Sequence, residues 1–219
     1  VLAEQLGYWK NQLADLTVLE LPADRPRPAV QSYQGAREAF TLGSEVLADL
    51  KRLGQESGVT LFMVLLAGFQ VLLQRYSGQD DIAVGTPIAN RNQGEVEGLI
   101  GFFVNSLVMR TDLSGEPSFR ELLSRVREVA LGAYEHQDLP FEKLVQELRP
   151  ERDLSRHPLF DVMFNLVNEP AHEPKFEGLH AQPVQVEWLQ AKFALTLYAV
   201  EQNGRMNFQL LYQEQLFTK

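Results

Sequence analysis

His136 and Asp138 stand two residues apart in the stretch HQDLPFEKLV. Those are the residue types of a general base and the acid that orients it. The stretch has a second reading. Asp138 precedes Pro140, and an aspartate ahead of a proline-led helix accepts backbone N–H bonds at the helix start. That arrangement is common chemistry, and the residues alone favour it. RDLSRHPLF poses a similar choice. Arg152, Asp153 and Arg156 can grip an anionic ligand, or form an internal ion-pair network that pins an irregular loop, which is the commoner use. Asn105 is a polar side chain in an apolar segment beside Phe102, Phe103 and Val104. A buried amide must find partners, either in neighbouring backbone or in a cavity and its ligand, and both readings stand.

Other reactive patterns are missing from the sequence. His136, His157, His172 and His180 are the four histidines, and none has the spacing of an H-E-x-x-H metal site. There is no G-x-S-x-G elbow, no G-x-x-x-x-G-K and no G-x-G-x-x-G. Asp80 and Asp81 are adjacent, and adjacent strand residues point apart, so a solvated turn is expected there.

Composition narrows the classes. The 219 residues are 45% hydrophobic and 22% charged, which suits a globular chain with a substantial core. A net charge of −9 argues against a nucleic-acid surface, while leaving room for a small basic patch that meets one acidic partner. With no cysteine, disulfides, thiolate metal sites and thiol catalysis are excluded, and a reducing compartment fits. The longest apolar run, Leu61 to Leu73, is short for a membrane span and contains Gln70, so it reads as a buried core helix. The N-terminus has neither an initiator Met nor a signal-peptide layout, and the chain is expected to be cut from something longer.

The elements that must position these residues follow from pattern. Leu2, Leu6, Trp9, Leu13 and Leu16 fall on one helical face. LPADRPRPAV then reads as an extended linker. GAREAFTL alternates as a strand. Ser44 is expected to cap a helix that ends near Gly58, and Thr60 to cap the central apolar helix. DIAVGTPIA reads as a buried strand, NRNQGEVEG as a polar loop, and Leu99 to Arg110 as a second strand. Ser118 and Glu121 form a capping box for the next helix, and Pro140 opens a short one. Phe160 to Asn168 alternates as a strand, and KFALTLYAVEQ and RMNFQLLYQ form a hairpin on Asn203-Gly204.

Several of these segments together resemble the condensation domains of non-ribosomal peptide synthetases. IGFFVNSLVMR is similar to the family's I-G-x-F-V-N-[ST] motif, HQDLPFE to [HN]-Q-D-x-P-F-E, and RDLSRHPLF to R-D-x-S-R-x-P-L. SGQDDIAVGTPIANR, LSGEPSFRELLSRVRE and AKFALTL fall in the family order between and after them. The resemblance covers nearly all of the chain. It implies an α/β (α+β) fold of the chloramphenicol-acetyltransferase type, with a mixed β-sheet flanked by helices. It also implies an amide-forming reaction between a carrier-bound acyl or peptidyl thioester and a carrier-bound aminoacyl acceptor. Amide formation needs a neutral amine held against the thioester carbonyl.

The resemblance further implies a division of the chain. Residues 1–33 would be an N-terminal helix and proline-rich linker from the N-terminal subdomain, and 34–219 a C-terminal subdomain lacking its last helix. The family's H-H-x-x-x-D-G motif has no counterpart in this sequence, so the chain alone is expected to be inactive. Phe103, Asn105, Gln137 and Asp138 would lie at the substrate tunnel, and Pro140, Arg152, Asp153 and Arg156 would be structural. No catalytic role passes to His136, because the family accepts Asn there and Asn is no base at neutral pH.

No cofactor would be bound. The 4′-phosphopantetheine arms of peptidyl carrier domains would enter the tunnel. The other implied partners are the N-terminal subdomain and an adjacent adenylation domain, with no nucleic acid and no membrane, in the cytoplasm. Self-association is expected through a face that the parent covers. The family has Asp where this chain has Ala194 and Gln215, and a carboxylate lost at Ala194 would unpair a basic partner such as an arginine of RDLSR. A non-catalytic module that recruits carrier or tailoring proteins is the alternative. An epimerisation domain ranks lower, because that class departs at the F-V-N and R-D-x-S-R motifs, which are intact here.

Overall fold

The structure, a computed structural model, describes residues 2–92, 94–150, 153–167, 178–179, 182, 184 and 189–219; Arg152, His172, His180 and Asn168 lie outside them. The chain opens with helix α1 (Leu2–Gln12), whose apolar face buries Trp9 and also Gln5. Strand β1 (Gln34–Leu42) follows the linker. Helix α2 (Ser44–Ser57) ends on Gly58, whose φ of 65° is the left-handed conformation that lets a helix stop. Ser44 does not cap it. Gly43 holds the N-cap position and Ser44 is the first helical residue. Helix α3 (Leu61–Ser77) does start on its expected cap, with the Met63 N–H donating to the Thr60 hydroxyl. Eight of its side chains are buried, among them Gln70, as an apolar all-round helix requires.

Strand β2 (Asp81–Ile88) leads into a short helix α4 (Gly94–Glu97) where a polar loop is expected. Strand β3 begins only at Asn105 and ends at Asp112, so residues 99–104 are not strand. The carbonyls of Val96, Glu97, Leu99 and Gly101 are taken by the Arg91 guanidinium instead of a neighbouring strand. A backbone whose acceptors are already held has no ladder to join. Helix α5 (Phe119–Glu135) has the full capping box of Ser118 and Glu121. Helix α6 (Phe141–Leu148) places Pro140 at the N-cap, one residue before its first turn. Strand β4 (Val162–Val167), the two-residue β5 (Leu189–Gln190), β6 (Leu195–Gln202) and β7 (Arg205–Gln213) complete the chain. Asn203 (φ 54°) and Gly204 (φ 68°) make the hairpin turn between β6 and β7, with Gln202 paired to Arg205. The turn needs positive φ at both positions.

Among the described residues seven strands form one mixed sheet in the order β3-β2-β4-β6-β7-β1-β5. β4 runs parallel to β2 and β6, and the other neighbours are antiparallel. Helix α3 packs on one face, where Phe62 and Phe69 meet Phe164 with ring centroids 5.5 and 6.1 Å apart. On the opposite face the Phe160 ring lies against Gly85. A Cβ built on Gly85 would stand 2.1 Å from that ring, so only glycine lets the two approach. Trp9, Leu13 and Leu19 belong to the same core cluster as the sheet, so α1 and the start of the linker are packed onto it.

Candidate functional site

The connection between α5 and α6, His136 to Pro140, is the HQDLP stretch, and its backbone is held by side chains from far along the chain. Asn105, the first residue of β3, is 7% exposed. Its Nδ2 donates to the carbonyls of Gln137 and Leu139, each at 2.9 Å. Its Oδ1 accepts the N–H of Ser106 at 2.9 Å and of Phe141 at 3.0 Å. The amide therefore uses two donors and two acceptor positions, its full capacity. Phe141 is the first residue of α6, so the helix is capped by a side chain from a strand 36 residues earlier.

Asp138 does not do that job. Its carboxylate accepts from Gln5 Nε2 at 3.2 Å, and α6 has no side-chain cap from its own sequence. The capping expected of Asp138 is supplied by Asn105, whose strand reaches the Phe141 N–H directly. His136 and Asp138 are not hydrogen-bonded to each other. His136 Nδ1 lies 2.8 Å from the Gly132 carbonyl, and a carbonyl only accepts, so Nδ1 carries the hydrogen. The imidazole stacks on Tyr8, centroids 4.1 Å apart and planes 7° from parallel. Gln137 Nε2 donates to the Tyr134 carbonyl at 2.7 Å. Helix α1 covers the outer side of the loop. Gln5 Oε1 accepts the Leu139 N–H at 2.8 Å and Trp9 Nε1 donates to the His136 carbonyl at 2.8 Å.

The second feature is an aromatic cluster on the Gly85 face. His157 lies 5.5 Å from Phe141, 4.9 Å from Phe160 and 4.7 Å from Phe193, centroid to centroid. HQDLPFE, RDLSRHPLF and AKFALTL each give a ring to it, and GTPIA gives the glycine beneath. Burial pushes the His157 imidazole down to about 4, with help from the Lys192 charge and against the pull of the Pro158 and Phe160 carbonyls. It is a neutral packing group.

The third feature is an ionic seam that ties the linker to this cluster. Arg156 Nη2 sits 2.8 Å from both Glu20 oxygens, and its Nε is 3.5 Å from Asp153. Asp153 accepts the Ser155 hydroxyl and N–H, which holds its carboxyl below the usual range. Arg27 pairs with buried Asp161 at 2.8 Å, close but off the line of a straight hydrogen bond. Burial raises the Asp161 carboxyl and the arginine opposes it. Asp161 also accepts the Ala194 N–H at 3.3 Å, so a carboxylate already stands beside Ala194. Arg156 has its own acidic partners there. At the other edge, Arg110 grips Asp81 through two nitrogens at 2.8 Å and donates to the Gln12 and Ala14 carbonyls at the end of α1. Asp80 takes Gln74 instead, so the adjacent aspartates act separately.

Phe103 lies under Arg91, whose guanidinium carbon is 4.3 Å from the ring centroid. Its neighbours point out. Phe102 is 89% exposed, and Leu99, Ile100 and Val104 are exposed with it. The structure thus brings Asn105, Gln137, Asp138 and Pro140 to one loop and leaves Phe103 in a separate pinned turn. Sequence reasoning missed Gln5, Trp9, Arg27, Arg91 and Arg110. Gln5 alone left a signal, as a polar residue on the apolar face of α1. Among the described residues no cluster of three or more His, Cys, Asp or Glu can hold a metal ion.

The model of the Condensation domain family matches residues 2–219. One of the linear gramicidin synthase proteins of Brevibacillus parabrevis is 55% identical over 220 residues, which is 99% of this chain and 3% of that protein. Chondramide synthase cmdD of Chondromyces crocatus is 47% identical over 97% of the chain and 5% of its own length. The chain thus spans a small fraction of these relatives. The X-domain from teicoplanin biosynthesis superposes with a TM-score of 0.92 at 28% identity, covering 100% of this chain and 50% of that one. A four-domain nonribosomal peptide synthetase bound to AMP and glycine gives a TM-score of 0.83 at 26% identity, over 98% of this chain and 18% of that one. The fold is the chloramphenicol-acetyltransferase-like one of condensation domains.

Two expectations follow from the geometry. Asn105→Ala leaves the Phe141 N–H and two carbonyls without partners, at roughly 1–3 kcal/mol for each buried group. Urea unfolding should show a loss on the order of 3 kcal/mol, and a loss below about 1 kcal/mol would contradict the clamp. For His157, the unfolded imidazole takes its proton near 6.5 and the folded one near 4. Unfolding therefore takes up a proton between those values, and stability falls as pH drops from 6.5 towards 4. His157→Phe, which suits the aromatic cluster, should lose less stability than the parent between pH 7 and pH 5; parallel losses would refute the assignment.

Proposed function

The chain belongs to the condensation-domain family, and on that premise we propose that it is the C-terminal part of a domain that forms amide bonds in non-ribosomal peptide synthesis. The reaction joins a carrier-bound acyl or peptidyl thioester to a carrier-bound aminoacyl acceptor. In this reading residues 34–219 are the C-terminal subdomain, and residues 1–33 connect it to the N-terminal one. Phe103, Asn105, Gln137 and Asp138 shape one wall of the tunnel that receives the phosphopantetheine arms. Asp153, Arg156 and Pro140 hold that wall. The partners are peptidyl carrier domains, the N-terminal subdomain and an adenylation domain, in the cytoplasm. No single helix among the described residues is long and apolar enough to cross a membrane.

One observation carries the reading. The side chains of the HQDLP loop are held by backbone and by α1, with His136 on Gly132, Gln137 on Tyr134 and Asp138 on Gln5, and His136 and Asp138 do not pair. The loop supplies a shaped wall and no His–Asp pair, which suits a partner half that brings the H-H-x-x-x-D-G motif. A second reading has its own support. A similar structure, at a TM-score of 0.89 and 30% identity, is a complex of the X-domain and OxyB from teicoplanin biosynthesis. By that likeness the domain would recruit a tailoring protein instead of joining amino acids.

The exposed turn from Leu99 to Val104 supports a covered face. It is apolar, and Arg91 holds it in one shape, so a partner surface meets a pre-organised projection.

The chain alone, given two carriers loaded from a panel of aminoacyl thioesters, is expected to form no dipeptidyl product; product from this chain alone overturns the reading. The parent protein should form it, and a parent that binds its carriers without condensing favours recruitment. Sedimentation at rising concentration should show the isolated chain self-associating, and Ile100→Ser with Phe102→Ser should abolish it. A strictly monomeric chain would rule out the open face.

A further inference from the structure

Gln5 is a buried amide on the apolar face of α1, 6% exposed, with both ends spent on one loop more than 130 residues away. Its Oε1 takes the Leu139 N–H at 2.8 Å and its Nε2 reaches Asp138 at 3.2 Å. Trp9, one turn later, donates to the His136 carbonyl at 2.8 Å. The inner side of the same loop is held by Asn105. The loop is therefore clamped between β3 and α1, and nothing in its own sequence caps the helix that follows. The far end of α1 is fixed as well, because Arg110 holds the Gln12 and Ala14 carbonyls while gripping Asp81 on β2. A helix anchored at its end and bonded to the loop midway transmits its own position to the loop.

We propose that Gln5 is a positioning residue, which places the His136–Pro140 loop by fixing the Leu139 N–H and the Asp138 carboxylate together. The loop then moves with α1, and the wall it forms is set by how α1 is seated. This rests on the proposal that the loop lines a condensation tunnel, but the clamp itself does not.

The test exploits the chemistry of the amide. In Gln5→Glu the protonated carboxyl reproduces it, since its O–H donates to Asp138 and its carbonyl accepts the Leu139 N–H. Burial and the neighbouring carboxylate both disfavour its charged form, so its folded pKa is raised. The clamp is complete below that pKa and lost as pH rises through it, when two carboxylates face each other. Adding Asp138→Asn removes the repulsion and supplies a donor, so the double variant should hold the loop at high pH.

Amide hydrogen exchange at Leu139 in the 219-residue chain reads the clamp directly. Gln5→Glu should match the parent at pH 5 and lose protection by at least about tenfold at pH 8, the equivalent of one hydrogen bond. The double variant should recover it. Unchanged protection in Gln5→Glu at pH 8 overturns the clamp. The same variants in the full-length parent, with carriers loaded from the aminoacyl panel, read the positioning role. The condensation rate of Gln5→Glu should gain a falling limb at high pH that the double variant removes. Lost protection with an unchanged pH profile overturns the role in condensation and leaves the condensation reading intact. A wild-type parent that condenses nothing overturns both, while the exchange result still decides the clamp.

Discussion

One side-chain amide decides the geometry around which the rest is arranged. Asn105 opens an edge strand and satisfies three backbone groups of a loop 32 to 36 residues ahead. An amide can do this because it carries donors and acceptors at one planar end, and the loop offers two carbonyls and an N–H in matching places. The cost of leaving those groups buried and unpaired makes the arrangement stiff. It also fixes where α6 starts, and through Phe141 where the aromatic cluster begins.

From there the structure is built by packing. Phe141, His157, Phe160 and Phe193 come from three separate segments and meet in one cluster, and Gly85 must lack a side chain for the Phe160 ring to approach the sheet. The segments most suggestive of chemistry in the sequence are therefore the ones that meet in the core. His136 and His157 are used as rings, Asp153 pairs with Arg156, and Asp138 accepts from Gln5. Arg156 with Glu20, and Arg27 with Asp161, stitch the proline-rich linker to the loop that carries His157. The reactive look of these motifs comes from the polar groups needed to secure irregular backbone at a buried junction.

Much of the fold was legible. The Thr60 cap, the Ser118–Glu121 box, the Gly58 stop and the Asn203-Gly204 hairpin are local devices, and local sequence fixes them. Two of the differences share a cause. Residues 99–104 have strand composition, yet Arg91 holds the Leu99 and Gly101 carbonyls in a turn. Asp138 has the look of a cap, yet a strand residue reaches the N–H instead. Each time a side chain from outside the segment displaced the local solution, and neither propensity nor spacing records such a contact.

The sequence by itself determined the class of the chain and the positions of most elements, because periodicity, caps and turns act within a few residues, and three motifs in order carried the likeness to condensation domains. It also marked Asn105 as a polar group needing partners, while leaving open what they were. Only the tertiary structure decided that those partners are backbone, that His136 and Asp138 do not pair, and that Gln5 and Trp9 brace the same loop from outside. Hydrogen bonds across more than a hundred residues depend on which surfaces the sheet brings together. That order, β3-β2-β4-β6-β7-β1-β5, is settled by the packing of the whole domain.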